Sequence, residues 1–203
     1  MNGLILVETR DIKFDPIKRH LPFLDGFEVM VFCSEDNSYL FREYETINVS
    51  IKSLTEYNQL LASYDFWKQF DYEKVLICQH DSGLLRDGIE NFYEWDYVGA
   101  PWWFQDWGGN GGLSLRTVKA MQDITINNNW TGCNEDIFFT HVMHYSNTYK
   151  LAPRNICKQF SVESIFKLET LGYHSIERYF NTGEVEQILH QYGRASHSNI
   201  LEL

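Results

Sequence analysis

Short apolar runs that stop abruptly at polar residues recur along the chain and set out its elements. Residues 4–7 read L-I-L-V and give way to Glu8, Thr9 and Arg10, and residues 75–78 read V-L-I-C and give way to Gln79, His80, Asp81 and Ser82. Runs this short, apolar throughout and closed by polar residues, mark strands buried on both faces. Alternation makes Phe27–Cys33 a further strand, residues 97–101 form one stopped by Pro101, and residues 113–115 form one behind glycines 108, 109, 111 and 112.

Helices are expected between these strands. Residues 16–24 supply a helix or helical turn, making a β-α-β beginning, and the S-x-x-E box of Ser53 and Glu56 starts another. The aromatics of residues 64–70 recur at helical spacing and are read as core. A short connection spans residues 89–95, and a helix over 118–122 runs toward a loop at 127–129. Asn134 caps a longer helix whose Phe138, Val142, Tyr145 and Tyr149 share one face. Thr182 caps a last helix bearing Val185, Ile188, Leu189 and Tyr192, which Gly193 ends. The pattern predicts an α/β fold in one domain, residues 1–193, followed by a tail at 194–203.

Candidate chemistry concentrates where strands end. In open α/β sheets ligands bind outside the carboxyl ends of the strands, so Asp81 is the first candidate, although a carboxylate there also suits a simple cap or turn. Gly111 and Gly112 suit a close approach of backbone to a ligand. Trp102, Trp103, Phe104 and Trp107 make an aromatic loop, either packed on the domain or stacking on a sugar ring. Glu135 and Asp136 fall in the first turn of their helix, where acidic side chains complement the helix dipole. His141 and His144 are three apart rather than four, and neither is read as a metal ligand.

Composition narrows the class. The chain has 203 residues, 44% hydrophobic and 16% aromatic, enough for one packed core. A formal charge of −11 without a basic stripe argues against a nucleic-acid partner. The cysteines at 33, 78, 133 and 157 show no C-x-x-C spacing and are expected to be reduced. The apolar run near the N-terminus is too short for a signal peptide or a transmembrane segment, so a cytoplasmic protein is expected.

Several motifs in one order carry a resemblance: Q-x-D-S from Gln79, Y-V-G-A-P-W from Tyr97, G-N-G-G-x-S-L-R from Gly109, N-E-D-x-F-F from Asn134, F-S-V-E from Phe160 and G-x-H ending at His174. Together they resemble a poorly characterised group of glycosyltransferase-like proteins, known mainly as a domain of unknown function with a nucleotide-sugar transferase fold, over about residues 4–192. The resemblance implies a GT-A-like, Rossmann-type mixed sheet flanked by helices, and a glycosyltransferase that moves a sugar from a nucleoside diphosphate donor, a UDP-sugar foremost, to a hydroxyl of a glycan or other acceptor. It implies donor contacts from Thr9, Arg10, Gln79, Asp81, Ser82, Gly111 and Gly112, and acceptor contacts from Trp102, Trp103 and Trp107. Asp81 and His174 would hold Mn²⁺ or Mg²⁺, Asp136 would be the base for the acceptor hydroxyl, and Glu135 would hold the acceptor. F-S-V-E matches without a chemical role. One departure stands out, because similar transferases carry D-x-D where this chain has Gln79 before Asp81, which leaves a single carboxylate for the metal. The other reading, from a different class, is a non-catalytic carbohydrate-binding protein with a vestigial nucleotide site.

Overall fold

The apolar runs become the strands of one sheet. The computed structural model describes residues 1–192; the expected stop at Gly193 and the tail at 194–203 lie outside the described residues. In chain order the strands are β1 (Asn2–Glu8), β2 (Phe27–Cys33), β3 (Glu45–Asn48), β4 (Lys74–Cys78), β5 (Ser82–Leu84), β6 (Tyr97–Ala100), β7 (Asn110–Thr117), β8 (Ser161–Val162) and β9 (Gly172–His174). Six of them form a mixed sheet in the order β3-β2-β1-β4-β7-β6, and a smaller sheet has the order β5-β9-β8. β1 to β4 run parallel in the main sheet, whereas β7 is antiparallel to both β4 and β6. The carboxyl ends of β1, β4 and β6 and the start of β7 therefore meet at one edge, where the crevice of an open α/β sheet lies.

Burial on both faces explains the unbroken apolar runs. Successive side chains of a strand point to opposite faces. Leu4 and Leu6 of β1 join Leu76, Cys78, Leu113 and Leu115 in one core layer, while Ile5 and Val7 join Phe32, Val75 and Ile77 in the other. The second layer is completed by helices α1 (Leu54–Leu61), α2 (Tyr64–Trp67), α3 (Val118–Asn127) and α4 (Glu135–Tyr145). Phe66, Trp67 and Phe70 lie there fully or almost fully buried, packed edge to face at 5.0–6.0 Å. Truncating Trp67 to alanine would cost about 3–5 kcal/mol. Helix α5 (Arg154–Phe160) supplies Cys157 and Phe160 to the first layer, and α6 (Thr182–His190) packs Ile188 against the small sheet.

Local chemistry corrects several boundaries. The helix expected over residues 16–24 is two 3-10 turns, Pro16–Arg19 and Leu21–Phe23, because Pro22 lacks an N–H and cannot continue a helix. Ser53 caps α1 as expected, but Glu56 reaches back to the N–H of Lys52 rather than to that of Ser53. Asn134 precedes α4 without capping it through its side chain; the Glu135 N–H donates instead to Asn58 Oδ1 of α1 at 3.0 Å. The buried stripe of α4 is Phe138, Phe139 and Met143, whereas Tyr145 is exposed and Tyr149 lies beyond the helix end. Asn181, one residue before Thr182, caps α6 in a full capping box with Glu184. Among the described residues no helix is long and apolar enough to cross a membrane.

Candidate active site

The turn after β4 is where the sheet opens. Gln79 and Ser82 close it: the Ser82 hydroxyl accepts from the Gln79 N–H at 3.2 Å and donates to the Gln79 carbonyl at 2.8 Å. Ser82 is fully buried, and its hydroxyl also lies 3.3 Å from His20 Nε2. Ser82, expected among the donor contacts, shapes the turn in this structure. Asp81 stands on the outer side of that turn, its side chain about a third exposed.

The small sheet brings a distant residue to Asp81. β5 pairs antiparallel with β9, which sets Ser82 opposite His174, and the Ser175 N–H donates to the Asp81 carbonyl at 3.0 Å. His174 is thereby buried between three oxygen-bearing side chains. Its Nε2 lies 3.1 Å from Gln79 Oε1 and 3.4 Å from Asp81 Oδ1, and its Nδ1 lies 3.3 Å from Glu163 Oε1. Burial works against the imidazolium, but Asp81 and Glu163 against its two nitrogens outweigh it and raise His174 to about 9. Burial likewise works against the Asp81 carboxylate, and His174, with His80 beside it, outweighs that and holds the group well below the usual carboxylate range. Gly112 makes room for the ring, because a β-carbon there would strike His174 Nε2. The expected close approach at Gly112 is made by the protein's own imidazole.

This corner suits a divalent cation in part. Asp81 Oδ1 and His174 Nδ1 are both buried without a hydrogen-bond partner among the described residues, and Glu163 stands 3.3 Å behind Nδ1, where outer-shell carboxylates stand at ligating histidines. No group of three or more His, Cys, Asp or Glu suited to a metal occurs among the described residues, so an ion here would need further oxygens from a ligand. It would also have to displace a proton from His174.

The tip of β1 forms the next part of the crevice. Glu8 is buried and accepts from Arg10 Nε at 2.7 Å and Nη2 at 2.5 Å, and Arg10 Nη2 also lies 2.7 Å from His80 Nδ1. Burial lowers the pKa of His80, and Arg10 adds to the fall. The Thr9 hydroxyl donates to the Ile51 carbonyl at 2.9 Å. Thr9, Arg10, Tyr57, Gln79 and the first residues of α1 line a cavity of 310 Å³. Gln79 joins the two parts, donating to the Tyr57 hydroxyl at 3.1 Å while its carbonyl oxygen faces His174.

At the start of α4 two adjacent acids part company. Glu135 turns inward to Arg116 of β7, with oxygen–nitrogen distances of 2.5 and 2.9 Å, and both side chains are buried beneath the rings of Tyr97, Trp67 and Phe139. Both oxygens of Glu135, expected to hold the acceptor, accept from Arg116 in an internal ion pair. Asp136 turns the other way, its Oδ2 accepting from the Gly111 N–H at 3.0 Å and its Oδ1 from the Ile137 N–H at 2.7 Å. Burial pushes its carboxyl up to about 7, Glu135 adds to the rise, and the two backbone donors oppose it. Gly111 is filled by this arrangement, since a β-carbon would strike Glu135 Oε1 and crowd Arg116 and Asp136.

Asp136 opens into a cleft of 140 Å³ with Asn110, Asn134, Glu163, Tyr179 and the aromatic loop. Trp102 is buried and stacks on Phe104 at 5.4 Å, and Trp103, at 71% exposure, stands out from the rim. Trp107 does not line this cleft; it lies flat on His144 at 4.0 Å and 7°. The structure thus gathers Gln79, Asp81 and His174 at one place, Thr9 and Arg10 beside them, and Asp136, Trp102 and Trp103 at the cleft. Glu163, which sequence reasoning left without a role, faces His174 and lines the cleft of Asp136. Its signal was the F-S-V-E match alone.

Residues 41–174, roughly two thirds of the chain, match the family described as "Protein of unknown function (DUF5672)", and the chain belongs to that family. No curated protein sequence matches it. Among solved structures it is similar to the apo-form glycosyltransferase GlyE of Streptococcus pneumoniae, with a TM-score of 0.54 and 13% identity over 89% of this chain and 55% of that one. The fold is thus that of a glycosyltransferase-like mixed α/β domain, and this chain spans about half the length of that neighbour.

Proposed function

We propose that the protein is a glycosyltransferase that moves a sugar from a nucleoside diphosphate donor to an acceptor hydroxyl. One observation carries the reading: Glu163 belongs both to the Asp136 cleft and to the His174–Asp81 corner, so the Asp136 carboxyl, poised near neutrality, and the Asp81–His174 pair share one wall. Acceptor activation needs a base with a pKa near the working pH, and Asp136 at about 7 meets that need. Its backbone donors at Gly111 and Ile137 fix the carboxylate, and the aromatic rim suits a sugar ring. The cavity at Thr9 and Arg10 takes the nucleoside, a UDP-sugar being the first donor to try. Asp81 and His174 would hold Mn²⁺ or Mg²⁺, and such an ion would supply charge neutralisation at the departing diphosphate. A base acting on the acceptor implies inversion at the anomeric carbon.

The exposure of Trp103 at 71% and Phe104 at 54% also favours glycan binding without turnover. A panel of nucleotide sugars incubated with purified protein, Mn²⁺ and glycan acceptors separates the two readings. Donor turnover that disappears in Asp136→Asn supports the transferase. Glycan binding that survives Asp81→Ala, with no donor consumed, refutes it.

A further inference from the structure

A cavity of 380 Å³ lies on the other side of Asp81, between the turns that follow β1 and the segment that follows β9. Arg19 and Arg178 face it from these two segments, with His80 and Asp81 on its floor and Phe14, Ile176 and Leu189 on its walls. Two features are unusual in a chain of net charge −11. Neither arginine forms an ion pair among the described residues: Arg19 Nη1 donates to the His80 carbonyl at 3.1 Å and its guanidinium lies over the Phe14 ring, while that of Arg178 lies over Tyr179. The Tyr173 hydroxyl, on a side chain that lines the cavity, is itself buried, with Arg19 as the charge beside it.

Two guanidinium groups around one cavity are a donor set for an oxyanion. The acids on the same lining are Asp81, already paired with His174, and Glu177, which is exposed as Arg178 is. We infer that this cavity is a diphosphate site in which Arg19 and Arg178 hold the phosphoryl oxygens. The inference rests on the transferase reading for its donor, and it assigns to the chain's own cations the charge that the missing first acid at Gln79 leaves a metal less able to supply.

Calorimetric titration of the wild-type protein in EDTA with inorganic phosphate, inorganic pyrophosphate and UDP tests it without requiring turnover. Pyrophosphate and UDP are expected to bind with an affinity that falls as salt rises, and phosphate more weakly. Arg19→Gln and Arg178→Gln should each weaken UDP roughly tenfold or more, as loss of a charged hydrogen bond does. Lys18→Gln, which removes a neighbouring exposed charge that does not line the cavity, should leave binding unchanged. Failure of both pyrophosphate and UDP to bind in EDTA overturns the inference, as does unaltered binding by an Arg19/Arg178 double variant with a wild-type melting curve. Arginine-dependent pyrophosphate binding without nucleotide-sugar turnover would sink the transferase reading and leave this site standing; turnover with arginine-independent binding would do the reverse.

Discussion

Replacing Asp136 with asparagine should yield a folded, inactive protein whose stability no longer depends on pH in the way the wild type's does. The Asp136 carboxyl is raised by burial from 3.8 to about 7, so between those values the folded chain keeps a proton that the unfolded chain releases. Wild-type stability should therefore fall as pH climbs from 4 to 7 and level off above. An interval of about three pKa units corresponds to on the order of 4 kcal/mol. Asparagine removes that penalty but has one oxygen for the two backbone donors at Gly111 and Ile137, and leaving one of them unpaired costs about 1–3 kcal/mol. The variant should be the less stable protein near pH 4 and equal or superior near pH 8, by urea unfolding at both values. Transfer should drop about 10²–10⁴-fold, the usual worth of a general base, and wild-type kcat/KM should rise with pH to a plateau just above 7. A folded Asp136→Asn protein that transfers at the wild-type rate, or a wild-type profile flat between pH 5 and 8, would refute the assignment.

Glu135→Gln should be far more damaging to the fold than Asp136→Asn, about 3–5 kcal/mol, because it strands the buried Arg116 guanidinium; a melting temperature within a degree of wild type would contradict that. Gly112→Ala should displace His174 and lower Mn²⁺ affinity, and calorimetry showing undiminished affinity would separate His174 from the ion. Mn²⁺ affinity of the wild type should climb as pH rises toward 9, since the ion must displace the His174 proton; an affinity independent of pH from 6 to 9 would remove His174 as a ligand. Asp81→Asn should abolish transfer and also destabilise the protein modestly near pH 7, because the carboxylate is the partner of His174 and not a free surface charge. That stability contribution is present above the unfolded carboxyl pKa and is lost as pH falls below it toward the depressed folded value; equal wild-type and variant stability at pH 7 would count against the pairing.

The central strands of the main sheet were legible because they are buried on both faces, so residues 4–7 and 75–78 announce themselves by composition, whereas the exposed edge strand Glu45–Asn48 was not expected. The strands of the small sheet were not legible. Runs of two or three residues, such as Ser161–Val162, carry no periodicity and are defined by their partners. The same limit hid Glu163, whose role comes from His174 across the fold. Asp81 could be read from a strand end, and the divergence of Glu135 and Asp136 follows from the 100° step of a helix. Which of the two turns inward depended on Arg116, a residue of another element. The glycines at 111 and 112 were seen as openings for a ligand, and the sequence could not reveal that neighbouring side chains fill them.

The small sheet also fixes when the site can come into being. Gln79 and His174 are 95 residues apart, and closing a loop of that length costs on the order of 4 kcal/mol in chain entropy, more than their one hydrogen bond returns. The pairing of β5 with β9 cannot hold by itself and must wait until the large sheet has already drawn the two segments together. A chain emerging in order would therefore possess most of its hydrophobic core while still lacking the Asp81–His174 corner. Competence to bind should be the last property acquired in folding and, by the same logic, the first lost when the molecule opens locally.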